Sequence, residues 1–237
     1  MTRVKVCGFT DSESMITAAK AGADAIGLVL IPGLKRSVSV PQLQRMLADL
    51  RAALGGQPLP QIVGMVGDQP VEFVNEAVAT LDLDAVQLCG SEGMGYAAQV
   101  KAPIIYKVIG VDGDVPASAL LPKLMLLLQR HTMADHRPIL DTKVAGAFGG
   151  TGKSFDWKVA AGLGASYSFS LAGGLTPDNV GDAIRTVRPW GVDTSSGIET
   201  NGVKDPAKIR AFIAAAREAD RALAPKGLRR LLAGRAS

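Results

Sequence analysis

Short β-branched, apolar runs alternate with amphipathic helical stretches along this 237-residue chain, and no other property restricts its fold so tightly. Strand signals fall at Val4–Cys7, Ala25–Leu30, Gln61–Val66, Ala85–Leu88, Ile104–Ile109, Pro138–Asp141, Ser166–Leu171 and Gly191–Asp193. Helical periodicity predicts helices over Ser12–Ala21, ended by Gly22, and over Val40–Leu54, ended by Gly55-Gly56. Further helices are expected at Val71–Leu81, Glu92–Lys101, Trp157–Leu163, Asp178–Val187 and Pro206–Ala224. The segment Val115–Arg130 is apolar but interrupted by Pro122, which removes a helix hydrogen bond. Eight strands with crossover helices and no break in composition predict an α/β chain closed into one parallel barrel. The competing architecture is an open doubly wound sheet, but no GxGxxG follows the first strand.

The composition agrees. Apolar residues make up 47% and aromatics only 5%, the balance expected where parallel strands are buried on both faces. The net charge of +4 would raise the question of nucleic acid, but much of the excess sits in Lys226, Arg229, Arg230 and Arg235, with no aromatic residues interleaved. That pattern reads as a solvated tail over 224–237 behind a catalytic barrel over 1–223, with no nucleic-acid partner. Cys7 and Cys89 form neither a disulfide framework nor a CxxC pair, and His131 and His136 lack partners at metal-ligand spacing, so they are assigned to surface or loop packing and no metal is expected. The apolar run Leu120–Leu128 contains Pro122 and Lys123 and is too short for a bilayer. With no charged-then-apolar leader, a soluble cytoplasmic protein without a membrane partner is expected.

In a closed barrel the C-terminal strand ends meet at one mouth, where the chemistry of such folds resides. Those ends carry Cys7; the loop Ile31-Pro32-Gly33-Leu34-Lys35-Arg36-Ser37; Gln87-Leu88-Cys89-Gly90; and Asp141 with the stretch Gly149-Gly150-Thr151-Gly152-Lys153-Ser154 behind it. They continue with Ala172-Gly173-Gly174-Leu175 and with Asp193-Thr194-Ser195-Ser196-Gly197. Free cysteines are commonly just small buried hydrophobes, so Cys7 draws its interest from this company. Glycine loops after the seventh and eighth strands let backbone N–H groups approach an anion, which marks Gly173, Gly174, Ser195, Ser196 and Gly197 as a phosphate site rather than plain turns. The run from Ala147 to Ser154 nearly spells a nucleotide P-loop, but alanine replaces its first glycine and it does not join strand directly to helix. It reads instead as a lid whose Lys153 reaches an anionic substrate.

Cys7 and Asp141 then form a candidate base and acid. A thiol titrates near 8.5 and is lowered by cations, which Lys5, Arg36 and Lys153 would supply. An aspartate held protonated can donate to a leaving oxygen, although capping a turn is the commoner fate of such a residue.

These residues together resemble phosphoribosylanthranilate isomerase, a tryptophan-pathway family, over about residues 3–213. The resemblance rests on Lys5-Val6-Cys7-Gly8, Ala21-Gly22-Ala23-Asp24-Ala25-Ile26-Gly27, Gln87-Leu88 and Leu140-Asp141. Gly149-Gly150-Thr151-Gly152-Lys153 with Phe155-Asp156-Trp157, Ala172-Gly173-Gly174-Leu175 with Asn179-Val180, Gly191-Val192-Asp193, Ser196-Gly197-Ile198-Glu199, Gly202, Lys204 and Asp205 complete it. It implies a single (β/α)8 TIM barrel that needs no cofactor and rearranges N-(5-phosphoribosyl)anthranilate to the 1-deoxyribulose 5-phosphate product. It further implies Cys7 as general base at C2 of the sugar and Asp141 as general acid at the furanose oxygen. Arg36 is implied to hold the anthranilate carboxylate, Lys153 and Asp193 to bind substrate, and the two glycine loops to hold the phosphate. The protein would be a monomer or homodimer. Cys89 replaces the usual histidine, Leu34-Lys35-Arg36-Ser37-Val38 replaces a Ser-Pro-Arg-aromatic loop, and Val66 replaces a phenylalanine. These departures motivate one alternative, a paralogue acting on a related phosphorylated aminosugar.

Overall fold

The computed structural model describes residues 1–142 and 155–223. In chain order its main elements are β1 (Arg3–Cys7), α1 (Ser12–Lys20), β2 (Ala25–Val29), α2 (Val40–Leu54), β3 (Gln61–Val66), α3 (Val71–Leu81), β4 (Ala85–Leu88) and α4 (Met94–Ala97). They continue as β5 (Ile104–Val111), α5 (Ala117–Met133), β6 (Arg137–Thr142), α6 (Trp157–Ala161), β7 (Ser170–Leu171), α7 (Val180–Val187) and β8 (Gly191–Thr194). A 3₁₀ turn (Ser196–Ile198), the hairpin strands β9 (Glu199–Thr200) and β10 (Val203–Lys204), and α8 (Pro206–Leu223) follow.

Strands β1 to β8 close into one barrel in sequence order, each pairing with the next in parallel and β8 with β1. The period of two then decides what faces where. On β1, Val4 and Val6 are fully buried in the layer between strands and helices, while Lys5 and Cys7 alternate into the barrel. The helices close that layer at their own spacing. Leu43, Met46, Leu47, Leu50 and Leu54 form the buried stripe of α2, and Ile209, Phe212, Ile213, Ala216 and Ala219 that of α8. Inside, the aliphatic residues Ala25, Val63, Ala85, Ile139 and Ala172 share a cluster with Tyr106. At the N-terminal end Arg137 lies over the Tyr106 and Trp190 rings, 5.9 and 5.1 Å from their centroids.

Several boundaries differ from the sequence expectation, each for a local reason. The expected helix at Glu92–Lys101 contracts to α4, because Glu92 is drawn away to Lys107 and to the Asp68 N–H. The expected strand Ser166–Leu171 contracts to β7, because the N–H groups of Ser166 and Tyr167 turn back to the Leu163 carbonyl. Conversely, α5 runs through Pro122; the carbonyl four residues earlier belongs to exposed Ser118, where water can serve it. His131 is buried rather than superficial, its Nδ1 3.1 Å from that of His136, and burial pushes its pKa down to about 4. Both histidines lie apart from the mouth. The hairpin β9–β10 was not foreseen, although its turn is Asn201-Gly202, the residue pair that best tolerates two successive positive φ angles. Among the described residues no helix is long and apolar enough to cross a membrane.

Candidate active site

The C-terminal strand ends enclose a cavity of about 280 Å³ lined by Cys7, Arg36, Asp141, Gly173, Gly174, Asp193, Ser195, Ser196 and Gly197. Nine of the ten residues singled out in the sequence therefore meet in one place, carried by β1, β6, β8 and the loops after β2, β7 and β8. The tenth, Lys153, lies outside the described residues, as do the rest of the glycine-rich stretch and the basic tail.

Beneath the cavity lies a buried ion pair. The parallel register of β1 and β8 sets Lys5 beside Asp193, and Lys5 Nζ donates to Asp193 Oδ2 over 2.8 Å. Burial alone would lower the Lys5 ammonium, but the Asp193 charge holds it above the ordinary lysine range. Cys7, two residues along the same strand, shares this space. A Cβ on Gly27 would overlap Cys7 Sγ and stand 3.0 Å from Lys5 Nζ, so the missing methyl of Gly27 is the room in which thiol and ammonium approach each other. Cys7 Sγ also rests against the Met65 sulfur.

The electrostatics correct one expectation. Cations do lower the Cys7 thiol, namely Lys5 and, unforeseen, Lys204. Burial is the larger effect, however, and the Asp193 charge adds to it, so the thiol stands above its ordinary value. Asp141 is raised to about 6, first by burial and then by the Asp193 charge, with smaller opposing contributions from the Thr142 N–H and Lys5. Near neutrality its carboxyl is thus within reach of protonation, as a proton donor requires.

Arg36 is held in a network. Its Nε and Nη2 donate to Glu199 Oε1 and Oε2 at 2.6 and 2.9 Å, a bidentate pair. Glu199 Oε1 also accepts from Lys204 Nζ at 2.9 Å, and that ammonium donates to the Ser195 carbonyl at 2.7 Å. The glycine loops are tightly packed. Gly173 and Gly174 take φ of +88° and +64°, and a Cβ on Gly197 would overlap the Leu175 carbonyl. Among the described residues, the backbone N–H groups of Gly173 and Gly174 make no loop or turn hydrogen bond, and Ser196 and Gly197 open the 3₁₀ turn. Two further polar atoms at the cavity, Gln87 Oε1 and Asp193 Oδ1, are buried with no donor among the described residues.

The departures from the family pattern fall away from the cavity or leave it polar. Cys89 does not line it; its sulfur accepts from Gln87 Nε2 at 3.4 Å, and burial pushes its thiol up to about 12. Val66 is buried against the helical layer, and the β3 residue at the cavity is Met65. Sequence reasoning missed Met65 and quoted Gly27, Glu199 and Lys204 without a role. Their signal is tertiary, since Glu199 and Arg36 are 163 positions apart. Among the described residues no group of three or more His, Cys, Asp or Glu could hold a metal ion.

Comparison with known proteins places this geometry. The family model for N-(5'-phosphoribosyl)anthranilate (PRA) isomerase matches residues 4–215. An N-(5'-phosphoribosyl)anthranilate isomerase of Roseiflexus castenholzii is 41% identical over 219 residues, 92% of this chain and 99% of that protein. The crystal structure of phosphoribosyl anthranilate isomerase from Thermotoga maritima superposes with a TM-score of 0.78 at 32% identity, covering 92% of this chain and all of that one. A structure of monomers generated from the dimeric Thermotoga maritima enzyme superposes at 0.74 with 29% identity and the same coverage. Another phosphoribosyl anthranilate isomerase, solved in complex with reduced 1-(o-carboxyphenylamino)-1-deoxyribulose 5-phosphate, superposes at 0.75 with 30% identity, again over 92% of this chain and all of that one.

Proposed function

The chain belongs to the N-(5'-phosphoribosyl)anthranilate isomerase family and is an isomerase of that substrate, and from this premise we propose how its own residues divide the reaction. Asp141, protonated at the start, gives its proton to the furanose oxygen as the C1–O bond breaks and the nitrogen lone pair forms the C=N bond of a Schiff base. Cys7, as thiolate, takes the proton from C2, and the electrons of that C–H bond neutralise the iminium to give the enolamine. Tautomerisation moves the hydroxyl proton to C1 and leaves the ketone. Solvent restores the proton that Asp141 lost and removes the one that Cys7 gained.

The observation that carries this division is the pair of titratable groups themselves. Cys7 and Asp141 stand on strands three apart around the barrel wall, line one cavity, and are both perturbed by the same Lys5–Asp193 pair. The binding roles follow from what remains open. The backbone N–H groups of Gly173, Gly174, Ser196 and Gly197, with the Ser195 side chain beside them, take the phosphate. Arg36 keeps N–H groups beyond those given to Glu199, and these hold the anthranilate carboxylate. Asp193 Oδ1 and Gln87 Oε1 gain from sugar hydroxyls the donors they lack, since a buried acceptor without one costs about 1–3 kcal/mol. Lys153 is assigned to the phosphate or carboxylate end by its charge.

The remaining assignments are a catalytic domain over 1–223, a basic tail over 224–237, a cytoplasmic location and a monomer or homodimer. Cell fractionation and sedimentation test the last two. The division of labour is tested by following the fluorescence of freshly generated phosphoribosylanthranilate as it is consumed. Cys7→Ser, folded as judged by circular dichroism, is expected to lose turnover by about 10² or more. Wild-type rates from that variant would remove Cys7 from the base role.

A further inference from the structure

The β9–β10 hairpin is an appendage to the barrel, yet it buries two charges. Its register pairs Lys204 with Glu199, so that their side chains share one face. The Glu199 side chain is 7% exposed and that of Lys204 2%. Charges are taken out of water at such depth only when paired, and a surface hairpin needs no ion pair to close its turn. What distinguishes the pair is what it touches. Glu199 Oε1 is shared between Arg36 Nε and Lys204 Nζ, which brings the guanidinium and the ammonium to one oxygen. Lys204 passes on to Ser195, at 2.7 Å to its carbonyl and 3.3 Å to its Oγ. Ser195 Oγ in turn donates to the Cys7 carbonyl at 3.1 Å. The chain of contacts closes over Gly8, which adopts φ +79°. A Cβ there would stand 2.5 Å from Arg36 Cδ and 3.0 Å from Ser195 Oγ.

We infer that Glu199 is a positioning residue that holds the two anionic ends of the substrate in register, fixing Arg36 for the carboxylate and Lys204 beneath the phosphate loop. The inference rests on the assignment of Arg36 to the carboxylate and of Ser195–Gly197 to the phosphate. Arg36 and Lys204 would repel each other at this separation in a poorly solvated site, and the shared carboxylate oxygen turns that repulsion into a fixed geometry. Both partners hold Glu199 ionised: their hydrogen bonds overcome its burial and bring its carboxyl down to about 2, so the brace does not titrate in the working range. The arrangement leaves a net single positive charge and a set of preoriented donors, so the substrate does not have to order them on binding.

The test measures kcat, KM and the inhibition constant of inorganic phosphate for the full-length enzyme and four variants. Arg36→Ala is expected to raise KM by about tenfold or more while leaving the phosphate constant within about twofold, because it serves one end only. Glu199→Gln is expected to raise both KM and the phosphate constant by about three- to tenfold, with kcat falling much less. Glu199→Asp, which keeps the charge, is expected to recover part of both effects. A Glu199→Gln variant that shifts KM but not phosphate inhibition would confine Glu199 to Arg36 and overturn the coupling. A lowered melting temperature with both constants unchanged would reduce Glu199 to a structural role and overturn it entirely. If Arg36→Ala leaves KM unchanged, the carboxylate assignment itself fails, an outcome distinct from either. Should Glu199→Gln not fold, Lys204→Met, which leaves Glu199 still held by the bidentate pair with Arg36, must raise the phosphate constant for the inference to stand.

Discussion

Asp141→Asn is expected to stabilise this protein while disabling it, and the size of the effect follows from where the carboxyl sits. The folded chain raises Asp141 from the ordinary 3.8 to about 6, mainly because its carboxylate would lose solvation beside Asp193. Below about pH 3.8 the group is protonated in both the folded and unfolded chain and contributes no difference. Between about 3.8 and 6 the unfolded chain releases the proton and the folded chain keeps it, so folded-state stability falls as pH rises. Above about 6 both are ionised and the loss is constant. At about 1.36 kcal/mol per pH unit, that interval is worth about 3 kcal/mol, and screening at the partly open cavity wall brings it nearer 2 kcal/mol. Asparagine keeps the shape and the acceptor that faces the Thr142 N–H but carries no charge, so it should recover this amount at pH 8 and about half of it at pH 5. Urea unfolding followed by tryptophan fluorescence at the two pH values, with turnover measured in parallel, checks all of this. Turnover should fall by about 10² or more. An Asp141→Asn protein that is less stable than wild type at pH 8, or whose stability difference does not change with pH, would refute the reasoning that burial holds this acid protonated.

Two further outcomes test the other half of the pair. Gly27→Ala places a Cβ against Cys7 Sγ and 3.0 Å from Lys5 Nζ. It is expected to cost about 1–3 kcal/mol in urea unfolding and to lower turnover by about 10² through displacement of the thiol, and a variant unchanged in both would show that the sulfur has room to swing clear. Because burial raises both thiols, Cys7 and Cys89 in the folded protein at pH 7.5 should react with a disulfide reagent at least about tenfold more slowly than a free cysteine, with full reactivity in urea; prompt native labelling of Cys7 would contradict its raised pKa.

Much of the scaffold is legible because its signals are local. The strand ends at Cys7, Leu88 and Asp193–Thr194 and the buried stripe of α2 follow from periodicities of two and 3.6, which a single pass along the chain reveals. Once eight strands close in order, their ends must meet, so Cys7, Asp141 and Asp193 could be brought to one mouth without any knowledge of distance. The failures have a different character. Glu92 has helical neighbours and was assigned to a helix, but Lys107 claims it, and no periodicity reveals an ion pair. The Arg36–Glu199–Lys204 network is likewise invisible because Arg36 lies 163 positions from the hairpin that carries the other two. The Cys7 thiol departs from expectation because a sequence displays the cations nearby and conceals the loss of water, which is the larger influence here. Asn201-Gly202 was legible in principle, as a two-residue turn whose conformational demand is written in its composition.

Burial raises both reacting groups, and this has opposite consequences for the two. For Asp141 the neutral form is the working form, so desolvation suffices. For Cys7 the neutral form is idle, so desolvation must be opposed. The Lys5–Asp193 pair meets both needs because it is oriented. Lys5 shares a strand with Cys7 and affects that thiol more than Asp193 does, whereas Asp193 affects Asp141 more than Lys5 does. The positive end of the buried pair therefore weighs more on the base and its negative end more on the acid, and each moves its neighbour toward the protonation state that the reaction consumes. The parallel register that sets Lys5 beside Asp193 fixes this orientation, and the absent side chain of Gly27 lets the ammonium come close enough to matter. A neutral pair of the same shape would preserve the packing and remove the bias, raising the Cys7 thiol further and taking from Asp141 the charge that helps it keep its proton.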